Sequence, residues 1–171
     1  MKVVLVGYMA SGKSSVGRLL AKQLGAKFID LDSYIEEHQK KTIRAIFSEN
    51  GEIFFRKLEH KMLQKVLNEN ESVLLSTGGG TPCYSNNMDT ILKNSNHSIY
   101  LQLSVSALVE RISKEKDQRP LVKDLEDHEL PEFIGKHIFE RRQYYELAKH
   151  IISCDKKELE EVVAEIEDLL L

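Results

Sequence analysis

A short apolar run, Val3, Val4, Leu5 and Val6, leads straight into Gly7-Tyr8-Met9-Ala10-Ser11-Gly12-Lys13-Ser14. This is the G-x-x-x-x-G-K-[ST] spacing, and Val16, Leu19, Leu20 and Leu24 follow it at helical intervals. A buried strand, a glycine-bounded turn and a helix N-terminus in that order aim backbone N–H groups at one point, where they favour anionic oxygens. The pattern therefore constrains both the fold, a strand–loop–helix unit of an α/β domain, and the ligand class, a nucleotide polyphosphate. Lys13 is placed to reach the terminal phosphates, and the Ser14 hydroxyl to ligate Mg²⁺.

The rest of the chain alternates in the same way. Strands are expected at 2–6, 27–30, 72–76, 98–103 and 150–154, each short and apolar. Helices are expected at 52–68, 86–93, 106–115, 130–147 and 156–171, the first carrying Phe54, Phe55, Leu58, Met62, Leu63, Val66 and Leu67 as a stripe. Strands alternating with helices imply βαβ units and a parallel sheet covered on both faces. At 171 residues the chain suits one domain, 1–171, with two interruptions. Residues 33–59 read as a substrate-capture insert and 114–129 as a mobile lid, since both begin beyond the carboxyl ends of strands, where such sheets bind ligands. The bland alternative for 114–129 is a solvated loop.

Bulk properties exclude several classes. The net charge of −3 implies no general attraction to nucleic acid, and no apolar stretch approaches a membrane span. The N-terminal residues lack a signal peptide's apolar region. Cys83 and Cys154 form no C-x-x-C pair, and the six histidines show no zinc-ligand spacing. A cytoplasmic protein without nucleic-acid or membrane partners is expected.

Four further constellations carry chemistry. Asp30 and Asp32 end the second strand, and strand alternation would send them to one side. Phosphoryl transfer needs a carboxylate near Mg²⁺ and another to take the nucleophile's proton, so Asp30 is assigned to the metal shell, through water, and Asp32 to the acceptor hydroxyl. The alternative is that Asp32 merely caps the next helix. Arg56 follows Gly51-Glu52 near a helix start, where a cation opposes the dipole, so an anionic partner is implied. The alternative is an ion pair with Glu52 or Glu59. Gly78, Gly79 and Gly80 follow the third strand and allow close backbone approach to a ligand. That strand lacks a terminal aspartate, which leaves the metal to Ser14, Asp30, phosphate oxygens and water. Arg119 in the lid segment and Arg141 in the helical stretch 130–147 are candidate clamps on phosphate and acceptor.

In combination these motifs resemble the shikimate kinase family: the early phosphate loop, the D-x-D at Asp30 and Asp32, G-E-x-x-F-R from Gly51 to Arg56, the triple glycine, and R-P-L at Arg119. The resemblance implies a three-layer α/β/α P-loop kinase fold with five parallel strands in order 2-3-1-4-5, a substrate-binding insert and a lid. It implies transfer of the ATP γ-phosphate to the 3-hydroxyl of shikimate, in chorismate and aromatic amino-acid biosynthesis, with Mg²⁺ as cofactor and a monomeric enzyme. ATP would be held by Ala10, Ser11, Gly12, Lys13, Ser14, Ser15 and Arg119, and Mg²⁺ by Ser14 and Asp30. Shikimate would be held by Asp32, Arg56, Gly78, Gly79, Gly80 and Arg141, with Lys13, Asp32 and Arg119 acting in catalysis. The chain departs from the family pattern in four places, one of them a spacing from Tyr145 to Ala148 that is one residue short. Ala10 stands where glycine is common, Gln143 where proline is common, and no arginine lies in 155–158 to flank adenine. The altered segment around Gln143 leaves Arg141 and Arg142 as alternatives for the acceptor arginine.

Overall fold

The computed structural model describes residues 1–170. Five parallel strands, β1 (Lys2–Val6), β2 (Phe28–Asp30), β3 (Val73–Ser76), β4 (His97–Gln102) and β5 (His150–Ser153), form one sheet in the order β2-β3-β1-β4-β5. This is the expected order, and each strand lies within a residue or two of its expected bounds. β1 is central because Val3 to Val6 are covered on both faces, with 0–1 % of their surface exposed. Its register pairs Leu5 with Ser76 on one side and Ile99 on the other, so β1 and β3 end within a residue of each other while β4 runs two residues past Val6.

Helices α1 (Lys13–Leu24), α2 (Leu31–Gln39), α3 (Ile43–Glu69), α4 (Asn87–Asn94), α5 (Val105–Lys114), α6 (Leu130–Tyr145) and α7 (Leu159–Leu170) supply the flanking layers. α1 packs on β3 and α7, and α5 packs on α6. The described core includes Leu20, Leu63, Leu67, Leu75, Ile91 and Ile166, all fully buried. No helix is long and apolar enough to cross a membrane among the described residues.

Three departures from the sequence expectation have physical causes. The helix expected at 52–68 is present as the second part of α3; an unexpected first part starts at Ile43, capped by Thr42, and Gly51, with φ 82° and ψ 174°, separates the two. Only glycine takes that conformation cheaply, so the break divides the 33–59 segment at Gly51. The helix expected from 156 starts at Leu159, because Lys156 adopts a left-handed φ of 58°; its residue 171 lies outside the described residues. The 114–129 segment is not a bare loop. It contains short 3₁₀ turns at Lys116–Gln118 and Asp127–Glu129, and Val122 between them is fully buried.

Candidate active site

The phosphate loop joins β1 to α1 beside the carboxyl ends of β2 and β3. Ala10 has a left-handed φ of 63°, which is the conformation that a glycine there would hold without strain. An alanine in that region costs about 1–2 kcal/mol, so the chain accepts local strain to keep the loop's curvature. Lys13 is 8 % exposed, and its ammonium donates to Gly7 O and Tyr8 O, both at 2.8 Å, and to Ser11 Oγ at 3.4 Å. Burial pushes its pKa down to about 8, with Asp32 and Asp30 opposing the shift.

The D-x-D pair is brought together by a different route from strand alternation. β2 ends at Asp30, and Asp32 already lies in the first turn of α2. Asp30, not Asp32, caps that helix, accepting from Ser33 N at 3.1 Å. Its other oxygen accepts from Ser14 Oγ at 2.6 Å. Burial raises the Asp32 carboxyl to about 6, and repulsion from Asp30 and Glu59 adds to the shift. Lys13, Ser14, Asp30 and Asp32 line one open cavity of about 480 Å³. Ala10, Gly12, Ser15, Gly78, Gly79 and Arg119 line it too, and Ser11 lies buried behind it.

Arg56, Gly80 and Arg141 lie outside that lining; the triple glycine connects them to it. A Cβ on Gly78 would come within 3.0 Å of Asp32 Oδ1, and one on Gly79 within 3.2 Å of Met9 N and 3.5 Å of Arg141 Nη1. One on Gly80 would come within 2.8 Å of Arg56 Nη2. Each glycine thus leaves room for a different polar group. Arg56 makes the ion pair that the sequence offered as the alternative reading, with Glu59 Oε1 at 2.8 Å. Glu52 is 3.8 Å from Arg56 Nε, too far for a hydrogen bond, and that buried Nε has no partner. The ion pair and an anionic partner are nonetheless compatible: Glu59 engages Nη1, while Nη2 lies on the side of Gly80. Phe55 is buried as expected, whereas Phe54 is exposed.

Helix phase separates the two candidate arginines of α6. Arg142 is exposed and paired with Glu146. Arg141 turns inward, its guanidinium 6.0 Å from the Tyr8 ring centroid and beside Gly79. In the 114–129 segment Arg119 is held by Glu115 at 2.5 Å.

Glu59, 1 % exposed, also accepts from Thr81 Oγ1 at 2.8 Å and so ties α3 to the turn after the glycines, a contact the sequence reading did not foresee. Two further residues of the site escaped that reading altogether. Tyr84 lies 3.8 Å from the Arg56 carbon, face on. Arg111 lines the cavity and donates to Ala10 O at 3.2 Å. Glu59 had a local signal, its i,i+3 spacing from Arg56; Tyr84 and Arg111 depend on contacts distant in sequence.

Oxygen donors suit Mg²⁺. Ser14 and Asp30 offer a hydroxyl and a carboxylate already in contact, and no cluster of three or more His, Cys, Asp or Glu offers an all-protein cage among the described residues. Mg²⁺ commonly takes one or two protein oxygens and completes its shell with phosphate and water.

A parallel sheet in this order, a phosphate loop after its central strand and an acid pair facing that loop define a P-loop phosphotransferase. Known proteins narrow the class. The family model described as shikimate kinase matches residues 9–170. A shikimate kinase of Flavobacterium psychrophilum is 48 % identical over 99 % of this chain and 98 % of its own length. The crystal structure of shikimate kinase from Bacteroides thetaiotaomicron superimposes with a TM-score of 0.92 at 37 % identity, covering 99 % of this chain and 98 % of that one. The Acinetobacter baumannii shikimate kinase, solved in complex with shikimate, gives 0.88 at 29 % identity, covering 99 % and 92 %. The chain belongs to the shikimate kinase family.

Proposed function

We infer that this protein transfers the γ-phosphoryl group of ATP to the 3-hydroxyl of shikimate, giving shikimate 3-phosphate and ADP. One observation carries the reading: the triple glycine joins the phosphate-loop cavity, with Asp32 in it, to two inward guanidinium groups, Arg56 and Arg141. That arrangement fits an acceptor bearing both a hydroxyl and a carboxylate. A nucleotide acceptor would instead require a base-binding slot.

In this mechanism Arg56 and Arg141 hold the acceptor carboxylate through charge-assisted hydrogen bonds, with Arg56 Nη2 on the side of Gly80. Asp32 accepts the proton of the 3-hydroxyl. The freed oxygen forms the new bond to the γ-phosphorus as the bond to the β–γ bridging oxygen breaks, and ADP leaves. A carboxyl near 6 is ionised at neutral pH yet basic enough to take up the proton. Lys13 and the loop N–H groups carry negative charge on the phosphates, and Arg119 adds to this from the 114–129 lid. Ser14 and Asp30 would hold Mg²⁺, which when bound neutralises charge on the phosphate oxygens. The 33–59 segment, hinged at Gly51, serves as the acceptor-binding insert. The reading places the enzyme in the cytoplasm as a monomer, and the two free cysteines support a reducing compartment.

ADP release measured across shikimate, quinate, gluconate and nucleoside monophosphates tests the proposal. Turnover should depend on shikimate and on Mg²⁺. Faster turnover with gluconate or a nucleotide than with shikimate would overturn it.

A further inference from the structure

Tyr8, the second residue of the phosphate loop, is a large aromatic side chain with 1 % of its surface exposed. Its backbone carbonyl holds the Lys13 ammonium at 2.8 Å. Its hydroxyl lies 2.8 Å from Nδ1 of His137 on α6, across 129 residues of sequence. Burial pushes the Tyr8 phenol up to about 12 and the His137 imidazole down, so a protonated hydroxyl faces a neutral ring, and the ring tautomer sets which of the two donates. The imidazole stands edge-on to Tyr8, with ring centroids 5.3 Å apart, and Phe133 packs against it at 5.5 Å.

His137, Arg141 and Tyr145 recur at four-residue spacing and share one stripe of α6. Each end of the stripe is fastened to a different part of the site. His137 meets the phosphate loop through Tyr8, and Tyr145 Oη donates to Gly79 O at 2.6 Å. Arg141 stands between them, over the Tyr8 ring. α6 has no strand pairing to fix its axial position, so a slide of one side-chain length would carry the guanidinium away from the triple glycine.

We propose that Tyr8 and His137 are positioning residues for the acceptor: their hydrogen bond docks α6 on the phosphate loop and thereby sets the Arg141 guanidinium at the acceptor pocket. This rests on the reading of Arg141 as an acceptor ligand. Tyr8 then belongs chemically to the nucleotide loop but acts on the other substrate.

Calorimetric titration of the whole protein with shikimate and, separately, with ADP tests it. Tyr8→Phe and His137→Ala should each weaken shikimate about 2- to 10-fold, the range for one neutral hydrogen bond. ADP affinity should stay within about twofold, because the backbone carbonyl that holds Lys13 survives. The double variant should bind shikimate no more weakly than the weaker single variant, since both remove the same bond. His137→Asn, whose amide can accept from the phenol or donate to it, should restore most of the loss. Tyr8→Phe keeps the ring and carries the test alone if His137→Ala fails to fold. Additive losses, equal losses for shikimate and ADP, or unchanged shikimate affinity in Tyr8→Phe would each overturn the positioning role. Arg141→Ala separates the two readings. Unchanged shikimate affinity there removes Arg141 from the acceptor site. A large loss there, with none in Tyr8→Phe, leaves Arg141 in place and defeats only its positioning by Tyr8.

Discussion

Gly80→Ala separates binding from folding at the acceptor site. Gly80 has φ −87° and ψ −15°, an ordinary right-handed conformation, so alanine fits the backbone without strain. By restricting the unfolded chain the substitution should stabilise by about 0.4–1 kcal/mol before any clash is counted. The clash is local. The new methyl would lie 2.8 Å from Arg56 Nη2, 3.0 Å from Nη1 and 3.3 Å from Cζ. Comfortable contact begins near ~3.5 Å, so the guanidinium must retreat by roughly 0.7 Å. It cannot do so freely, since Glu59 holds one edge at 2.8 Å and Tyr84 covers one face at 3.8 Å. A shift of that size breaks the alignment of a charge-assisted hydrogen bond, worth about 1.5–3 kcal/mol. Shikimate affinity should therefore fall about 10- to 150-fold, while the melting temperature stays within about 4 °C of the parent and ATP affinity is unchanged. Calorimetric titration with shikimate and a thermal melt read both. Unchanged shikimate affinity would show that Arg56 is not an acceptor ligand, and a fall in melting temperature beyond that range would show that the glycine serves folding.

Asp32→Asn should lower kcat about 10²- to 10⁴-fold if the carboxylate takes the acceptor proton. The parent rate should fall as pH drops through about 6, and the residual rate of the variant should lack that limb. The same substitution should stabilise the protein at pH 7.5. Because the folded pKa of Asp32 is raised from 3.8 to about 6, the native state binds this proton more tightly than the unfolded chain does. Relative stability is therefore lost as pH rises through that interval. The gain for asparagine at pH 7.5 is at most about 3 kcal/mol, and it should vanish near pH 4; a variant less stable than the parent at pH 7.5 would contradict the burial argument. Glu115→Gln should free Arg119 for the phosphates and tighten ATP by no more than about fivefold, because the ion pair is half exposed. Unchanged or weaker ATP binding in a direct titration would mean that Arg119 does not compete between Glu115 and nucleotide.

Features built from contiguous residues were legible in advance. The phosphate loop is one: its N–H groups, Lys13 and Ser14 all lie within eight positions, so spacing alone specifies their convergence. The sheet is another, since five short apolar segments separated by helical stripes admit few right-handed parallel arrangements. The D-x-D pair was legible for the wrong reason. Strand periodicity does not apply once β2 ends at Asp30, and the turn into α2 brings Asp32 to the cavity instead.

Sequence by itself therefore determined the nucleotide loop, the alternation of strands and helices and the residue types available for an acceptor with a carboxylate, because each follows from neighbours along the chain; the strand order was implied by the resemblance to the shikimate kinase family. Tertiary structure alone decided between Arg141 and Arg142, placed Tyr84 against Arg56, and joined Tyr8 to His137. Adjacent helical residues point about 100° apart, so which one meets the glycines depends on how α6 is rotated against the sheet. That rotation is set by packing between segments more than a hundred residues apart, which local pattern does not record.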